Sequence, residues 1–297
     1  MTPQQHVALA GALVGTAWNG LRLAVPEDWR PARLGLGYLY FEDADGPAFE
    51  LKWRFGAGRD GMEAALRALT PKGRATAGGT LPDAWLDALA PFELMPMTWT
   101  RDGRSGLGAA LFCPECGMAA VFQGYGGPHG LDAGRLADLA AVLGSLVHHR
   151  PDPPAFALYG LSFSPPPGFV LASFDFVPGR FSLTFSAGRR RLDVVRLAPA
   201  DVLLAREPFG TIAGRVFGFD DRAALTPGSL AGCPAVWLAA RQGGGLDAVV
   251  RRFGRSGRLA VLRHAAGINK LLGAAATGDK PVDRDWLAGV AAHCVSL

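Results

Sequence analysis

Two stretches decide the reading of this chain: Asn19-Gly20-Leu21-Arg22-Leu23-Ala24-Val25-Pro26-Glu27-Asp28-Trp29 and Tyr159-Gly160-Leu161-Ser162-Phe163-Ser164-Pro165-Pro166-Pro167-Gly168-Phe169. They align without a gap: Gly20 with Gly160, Leu21 with Leu161, Pro26 with Pro166, Trp29 with Phe169. Each reads as a short strand of alternating apolar residues, stopped by proline, with a bulky aromatic anchoring the exit.

The likeness continues outward. Tyr38-Leu39-Tyr40-Phe41 matches Ser182-Leu183-Thr184-Phe185, and Phe49-Glu50-Leu51-Lys52-Trp53 matches Leu192-Asp193-Val194-Val195-Arg196. Turns at residues 43–47 and 187–190 make each pair a β-hairpin. Helical stretches follow at 61–69 and 200–215. A second hairpin is expected in each half, 107–112 with 118–123 around the turn 113–117, and 246–253 with 258–263 around the turn 254–257. Each half closes on a helix, opened by Asp132 or by Asp283. The order predicts the α+β class: two tandem similar domains, each a mostly antiparallel sheet with helices packed on it. The first domain spans 1–150, a Pro-rich linker 151–155, and the second domain 156–297.

The opening Gly-Leu-x-Leu/Phe-x-x-Pro-x-x-Trp/Phe, followed by paired strands and a helix, resembles the start of Mog1/PsbP-like domains. The resemblance covers the architecture of each half and few individual residues. It implies an antiparallel sheet between helices, in a family of binding and accessory modules without a shared catalytic residue.

The chain has 297 residues, 49% hydrophobic and 19% charged, which excludes a disordered tail or a coiled coil. Its net charge of +4 is carried mainly by scattered arginines. The one cluster, Arg189-Arg190-Arg191, reads as a solvated turn, so no nucleic-acid partner is expected. No apolar run reaches the ~18 residues of a membrane helix, so no membrane partner is expected either. The longest apolar run, 7–18, reads as part of a capped helix, with Thr2 as N-cap, Pro3 at the first helical position and Gly15 ending it. With no export signal legible, a cytoplasmic location follows. The four cysteines would then be reduced or bound to metal.

Two motifs carry chemistry. Cys113-Pro114-Glu115-Cys116-Gly117 looks like the knuckle of zinc ribbons and rubredoxins. Its spacing turns the chain tightly, aims both thiolates at one point and ends on a glycine that accepts positive φ. Zinc or iron is the cofactor this implies, with Cys113 and Cys116 as ligands. A tetrahedral metal needs further ligands, and His129, Cys233, His293, Cys294 or a second copy of the chain are the candidates. A turn that has lost its metal and a redox pair are the other readings, the last weakened because no helix follows the pair.

The second motif is Gly56-Ala57-Gly58-Arg59-Asp60-Gly61. It fits Gly-x-Gly-x-x-Gly between a strand and a helix, with Asp83 about twenty residues on. Gly56, Gly58 and Gly61 are thus candidate cofactor-binding residues for a nucleotide or phosphate. Against this, the preceding strand belongs to a hairpin rather than to a parallel βαβ unit.

His148-His149 suits a polar helix C-terminus. Glu50 and Asp193 occupy matching strand positions and read as solvent-facing. No complete catalytic constellation is visible, so a non-enzymatic binding or accessory protein with a protein or small-molecule partner is expected. A metal-binding protein and a nucleotide- or phosphate-binding enzyme are the alternatives.

Overall fold

The computed structural model describes residues 12–69, 75–101, 104–127, 130–149, 155–220, 223–240 and 257–295. The chain divides into two compact units, Met1–Arg150 and Pro151–Leu297. Their sheets are antiparallel and carry packed helices, which makes the fold α+β. Among the described residues no helix is long and apolar enough to cross a membrane.

The first unit opens with a hairpin, β1 (Leu13–Trp18) against β2 (Leu21–Pro26). Asn19 and Gly20 make the turn with φ of 45° and 89°, the left-handed pair a two-residue hairpin loop requires. This corrects the end of the helix expected to run from Pro3 to Gly15: residues 3–11 lie outside the described ones, and from Leu13 the chain is extended in β1. Val14, Thr16 and Trp18 are strand formers, and Gly15 is a poor helix residue. Pairing with β2 buries Thr16, Ala17 and Trp18, and the Trp18 indole N–H donates to the Gly35 carbonyl at 2.7 Å.

The main sheet follows from β3 (Arg30–Gly35), β4 (Tyr38–Asp43), β5 (Gly46–Arg54), β6 (Ala75–Ala77), β7 (Glu93–Arg101), β8 (Arg104–Phe112) and β9 (Ala119–Tyr125). Their order is β3-β4-β5-β9-β8-β7-β6. Helix α1 (Gly58–Leu69) packs on β8 and β9 and buries Met62 among Met97, Val121 and Tyr125. Helices α2 (Asp83–Ala88) and α3 (Ala133–Gly144) pack together. Trp85 of α2 is fully buried, edge-on to Phe122 at 5.7 Å, and its indole N–H donates to Leu136 of α3. Gly124 lets this packing close, because a Cβ there would sit 2.7 Å from a Leu139 methyl and force that side chain to shift.

The second unit repeats the order of strands. Its hairpin is β10 (Phe156–Leu158) with β11 (Leu161–Phe163), turned at Tyr159 and Gly160, again at positive φ. Its sheet comprises β12 (Val170–Val177), β13 (Arg180–Ala187), β14 (Arg190–Leu197), β15 (Ala224–Leu230), β16 (Cys233–Ala239), β17 (Gly257–Ala265) and β18 (Lys270–Gly278). The order is β12-β13-β14-β18-β17-β16-β15, the same topology as in the first unit. Its described helices are α4 (Ala200–Arg206), α5 (Phe209–Phe217) and α6 (Arg284–Ala292).

Small details match as well. The amide of Trp29 donates to Pro26, and that of Phe169 to Pro166. Asp132 caps α3 through the Arg135 amide, and Asp283 caps α6 through the Trp286 amide. Past the closing helices, Val147 exchanges backbone hydrogen bonds with Arg22 at 2.8 and 2.9 Å, and Val295 with Ser162 at 3.0 and 2.8 Å.

Two expectations change, and a third lies mostly outside the described residues. The helix expected over 200–215 is two helices, because Pro208 has no N–H to continue the ladder. Residues 246–253 and most of the turn 254–257 lie outside the described residues. The described strand β17 pairs with β16 and β18, so the counterpart of the β8–β9 hairpin is β17–β18, turning at Ala266–Ile268 and Asn269. Of the expected linker 151–155, only Ala155 is described.

Candidate metal centre

The hairpin β8–β9 places Cys113-Pro114-Glu115-Cys116-Gly117 at one end of the first sheet. The amide of Cys113 donates to the Met118 carbonyl, closing the hairpin, and the amide of Gly117 donates back to Cys113, both at 2.9 Å. Gly117 has φ of 68°, so the turn uses its glycine as such a knuckle requires. Cys113 is buried and Cys116 half-buried.

The residues that meet these thiols are His148 and His149. One ligand atom from each of Cys113, Cys116, His148 and His149 lies within 4.8 Å of all the others. A tetrahedral zinc with usual bond lengths holds its sulfur and nitrogen ligands about 3.3–3.8 Å apart, so closure by about 1.5 Å at most brings these atoms to that spacing. The imidazoles do not end helix α3, as their position in the sequence suggests. That helix stops at Gly144 with Ser145 as C-cap. The Ser145 amide donates back to Ala141 and its hydroxyl to Val142, so the helical bonding closes there. The Val147–Arg22 bridge then carries the chain to the sheet end, and it bends at His149.

The two imidazoles sit in different environments. His148 is 7% exposed, stacked at a tilt on Phe92 with ring centroids 4.5 Å apart. Its Nε2 is buried without a hydrogen-bond partner. Burial, aided by the neighbouring His149, holds its pKa below the ordinary imidazole value and so favours the neutral ring, the form that binds a metal. His149 is exposed, with Nε2 3.6 Å from Cys113 Sγ and 3.5 Å from Glu115 Oε2. The Cys113 hydrogen bond raises its pKa. Burial pushes the Cys113 thiol up, but the Cys116 amide and the His149 ring outweigh it and leave the thiol more acidic than usual. The Cys116 thiol is shifted the other way, by burial and by its neighbour Cys113.

The ligands expected to complete the site are not among the described residues of the first unit. His129 lies outside the described residues. Cys233 opens β16 in the second unit. Cys294 of that unit is buried, its thiol pushed up to about 12 by burial, and His293 bonds the Gly289 carbonyl through Nδ1. At the positions of the second unit that match the knuckle and the imidazole pair stand Ala266-Gly267-Ile268-Asn269 and Ser296-Leu297, none with a thiol or imidazole.

Gly56, Gly58 and Gly61 lie beside the knuckle. Gly56 and Gly58 have φ of 66° and 67°, and Gly61 is inside α1, packed on Ala57 and Ala119. The amide of Gly58 donates to the Gly117 carbonyl at 3.4 Å, so the loop braces the knuckle. Strand β5 before it pairs antiparallel with β4 and β9, which is not the parallel setting of a dinucleotide fold. Asp83 opens α2.

Glu50 is not solvent-facing. It is 9% exposed and accepts hydrogen bonds from the Tyr125 hydroxyl at 2.6 Å and from Lys52 Nζ at 2.7 Å. Nothing in the strand's alternation reveals this, because the partner tyrosine comes from β9.

No family model matches the sequence, and no curated protein matches it. A solved structure from Bacteroides thetaiotaomicron VPI-5482 is 13% identical, with a TM-score of 0.32. The match covers 53% of this chain and 54% of that one, so this chain spans about half the length of that neighbour.

Proposed function

We propose that the protein is a non-enzymatic binding or accessory protein whose first unit holds one structural metal ion, zinc before iron, on Cys113, Cys116, His148 and His149. The observation that carries this is the buried, unpartnered Nε2 of His148 in a cluster with two thiols and a second imidazole. An unbonded imidazole nitrogen is expensive to bury, and a metal bond removes that penalty. Two sulfurs and two nitrogens suit a tetrahedral zinc and disfavour magnesium or calcium. Four protein ligands close the coordination sphere, which fits a structural rather than a catalytic centre. The ion would tie the chain after α3 to the β8–β9 turn.

The two units are read as products of an internal duplication, supported by the shared strand order, hairpin turns and closing backbone bridges. The Mog1/PsbP-like resemblance belongs to the same proposal. On this reading the second copy carries no metal.

Cobalt substitution tests the centre. The protein loaded with Co²⁺ should show visible bands of tetrahedral coordination and a near-ultraviolet thiolate-to-metal band. Both should collapse in Cys113→Ser. A spectrum of octahedral cobalt without thiolate bands would reject the assignment.

A further inference from the structure

The two sheets carry matching register rows, filled in the first unit and open in the second. In the first unit Tyr40, Glu50 and Gln123 stand side by side across β4, β5 and β9. Tyr38 and Tyr125 flank them on the same face, since side chains two apart share a face. The rings occupy the space: Tyr40 meets Tyr125 edge-on at 6.0 Å, and Trp99 meets Tyr125 at 4.5 Å. Glu50 spends its carboxylate on Tyr125 and Lys52.

In the second unit the matching row is Thr184, Asp193 and Ala275. Ser182 stands for Tyr38 and Thr277 for Tyr125. The three rings are replaced by small hydroxyl side chains, and a cavity of about 530 Å³ opens beside the end of α5. Ser182, Thr184 and Thr277 all line it. So do four arginines, Arg180, Arg191, Arg215 and Arg258, and two aspartates, Asp175 and Asp193. The balance is positive. Asp193 is ion-paired with Arg191, whose Nε meets both its oxygens, and accepts from the Thr184 hydroxyl at 2.6 Å, so the surplus rests on Arg180, Arg215 and Arg258 against Asp175. Arg215 holds Glu207 at 3.2 Å, and Arg258 caps the carbonyls of Phe217 and Gly218, which fixes the wall of the cavity.

We propose that this cavity binds a small hydroxylated molecule bearing an oxyanion, a phosphate or a carboxylate. Guanidinium forks match oxyanion geometry, and hydroxyl side chains both donate to and accept from the hydroxyls of such a body. The site is concave and polar, with its lining groups held on strands and on the end of α5. The sequence hides it, because only the spatial register sets Ser182, Thr184 and Thr277 against the three tyrosines of the other unit.

The test is calorimetric titration of the full chain at low ionic strength with glucose 6-phosphate, gluconate and glucose. These share one hydroxylated body and differ in the charged group. Glucose 6-phosphate or gluconate should bind, and neutral glucose should bind about tenfold more weakly or worse. Thr184→Tyr, which restores the ring found at Tyr40, and Arg191→Gln should each weaken anion binding about tenfold or more. Circular dichroism checks that each variant is folded, and Arg180→Ser replaces either one that is not. Failure of both anions to bind, equal binding of glucose, or unchanged affinity in the folded variants would overturn the proposal. The outcome is independent of the metal centre.

Discussion

Nε2 of His149 stands 3.6 Å from Sγ of Cys113, although 36 residues separate them in the chain. The contact exists because the chain leaves α3, bridges to Arg22 through Val147 and reaches the β8–β9 turn. His148 arrives by the same path but is buried, whereas His149 remains exposed. The two imidazoles therefore differ in how firmly they are held.

That difference predicts an order of ligand strength. His148→Ala should release the metal more completely than His149→Ala, since water can replace an exposed ligand more easily than a buried one. Both losses should exceed the roughly 10–100-fold typical of a missing outer-shell partner. Competition with a chromogenic chelator measures them.

Chelation should destabilise the protein. A ligand present at about a hundredfold over its dissociation constant adds about 2.7 kcal/mol to the folded state. Removing the metal with a strong chelator should lower the first unit's unfolding midpoint, and adding Zn²⁺ should restore it. Differential scanning calorimetry follows both steps.

Gly117→Ala should cost about 1–2 kcal/mol, the usual penalty for forcing a side chain into left-handed backbone. The added Cβ meets Gly56 Cα at only 3.8 Å, an ordinary contact, so the effect is conformational rather than steric. Metal affinity should fall with it, because the strained turn no longer presents Cys113 and Cys116 together. Denaturant unfolding and metal titration report the two effects separately.

Much of this organisation is legible from local signals. The paired strands around residues 43–47 and the knuckle 113–117 show their turn residues plainly, and Asp132 and Asp283 announce the closing helices. Other elements are masked by single residues. Pro96 interrupts the pattern of β7 and Pro227 that of β15, yet both strands form because the sheet tolerates proline near its edges. The imidazole ligands are illegible for a different reason. Nothing local to His148 says that Val147 will pair with Arg22, and that pairing alone brings the two rings to the thiols. The burial of Glu50 likewise depends on Tyr125, supplied by a strand far along the chain.

Tyr125→Phe should cost about 1–3 kcal/mol by leaving one oxygen of buried Glu50 without its donor. The same pair sets an alkaline limit. Burial, then the Glu50 charge, raises the Tyr125 phenol above its ordinary value, and burial with Glu50 pushes Tyr38 up to about 12. The folded state therefore holds these protons more tightly than the unfolded chain. Stability contributed by the neutral phenols is present below about pH 10 and is lost as pH rises toward the folded values. Tyr125→Phe should flatten that alkaline decline, as read from unfolding midpoints between pH 9 and 12.

Elemental analysis of the purified protein tests the central claim most directly. The account predicts about one zinc or iron per chain, retained through gel filtration and lost in Cys113→Ser and in His148→Ala. Metal-free wild-type protein that fails to take up Zn²⁺, or stoichiometric metal retained by both variants, would contradict it.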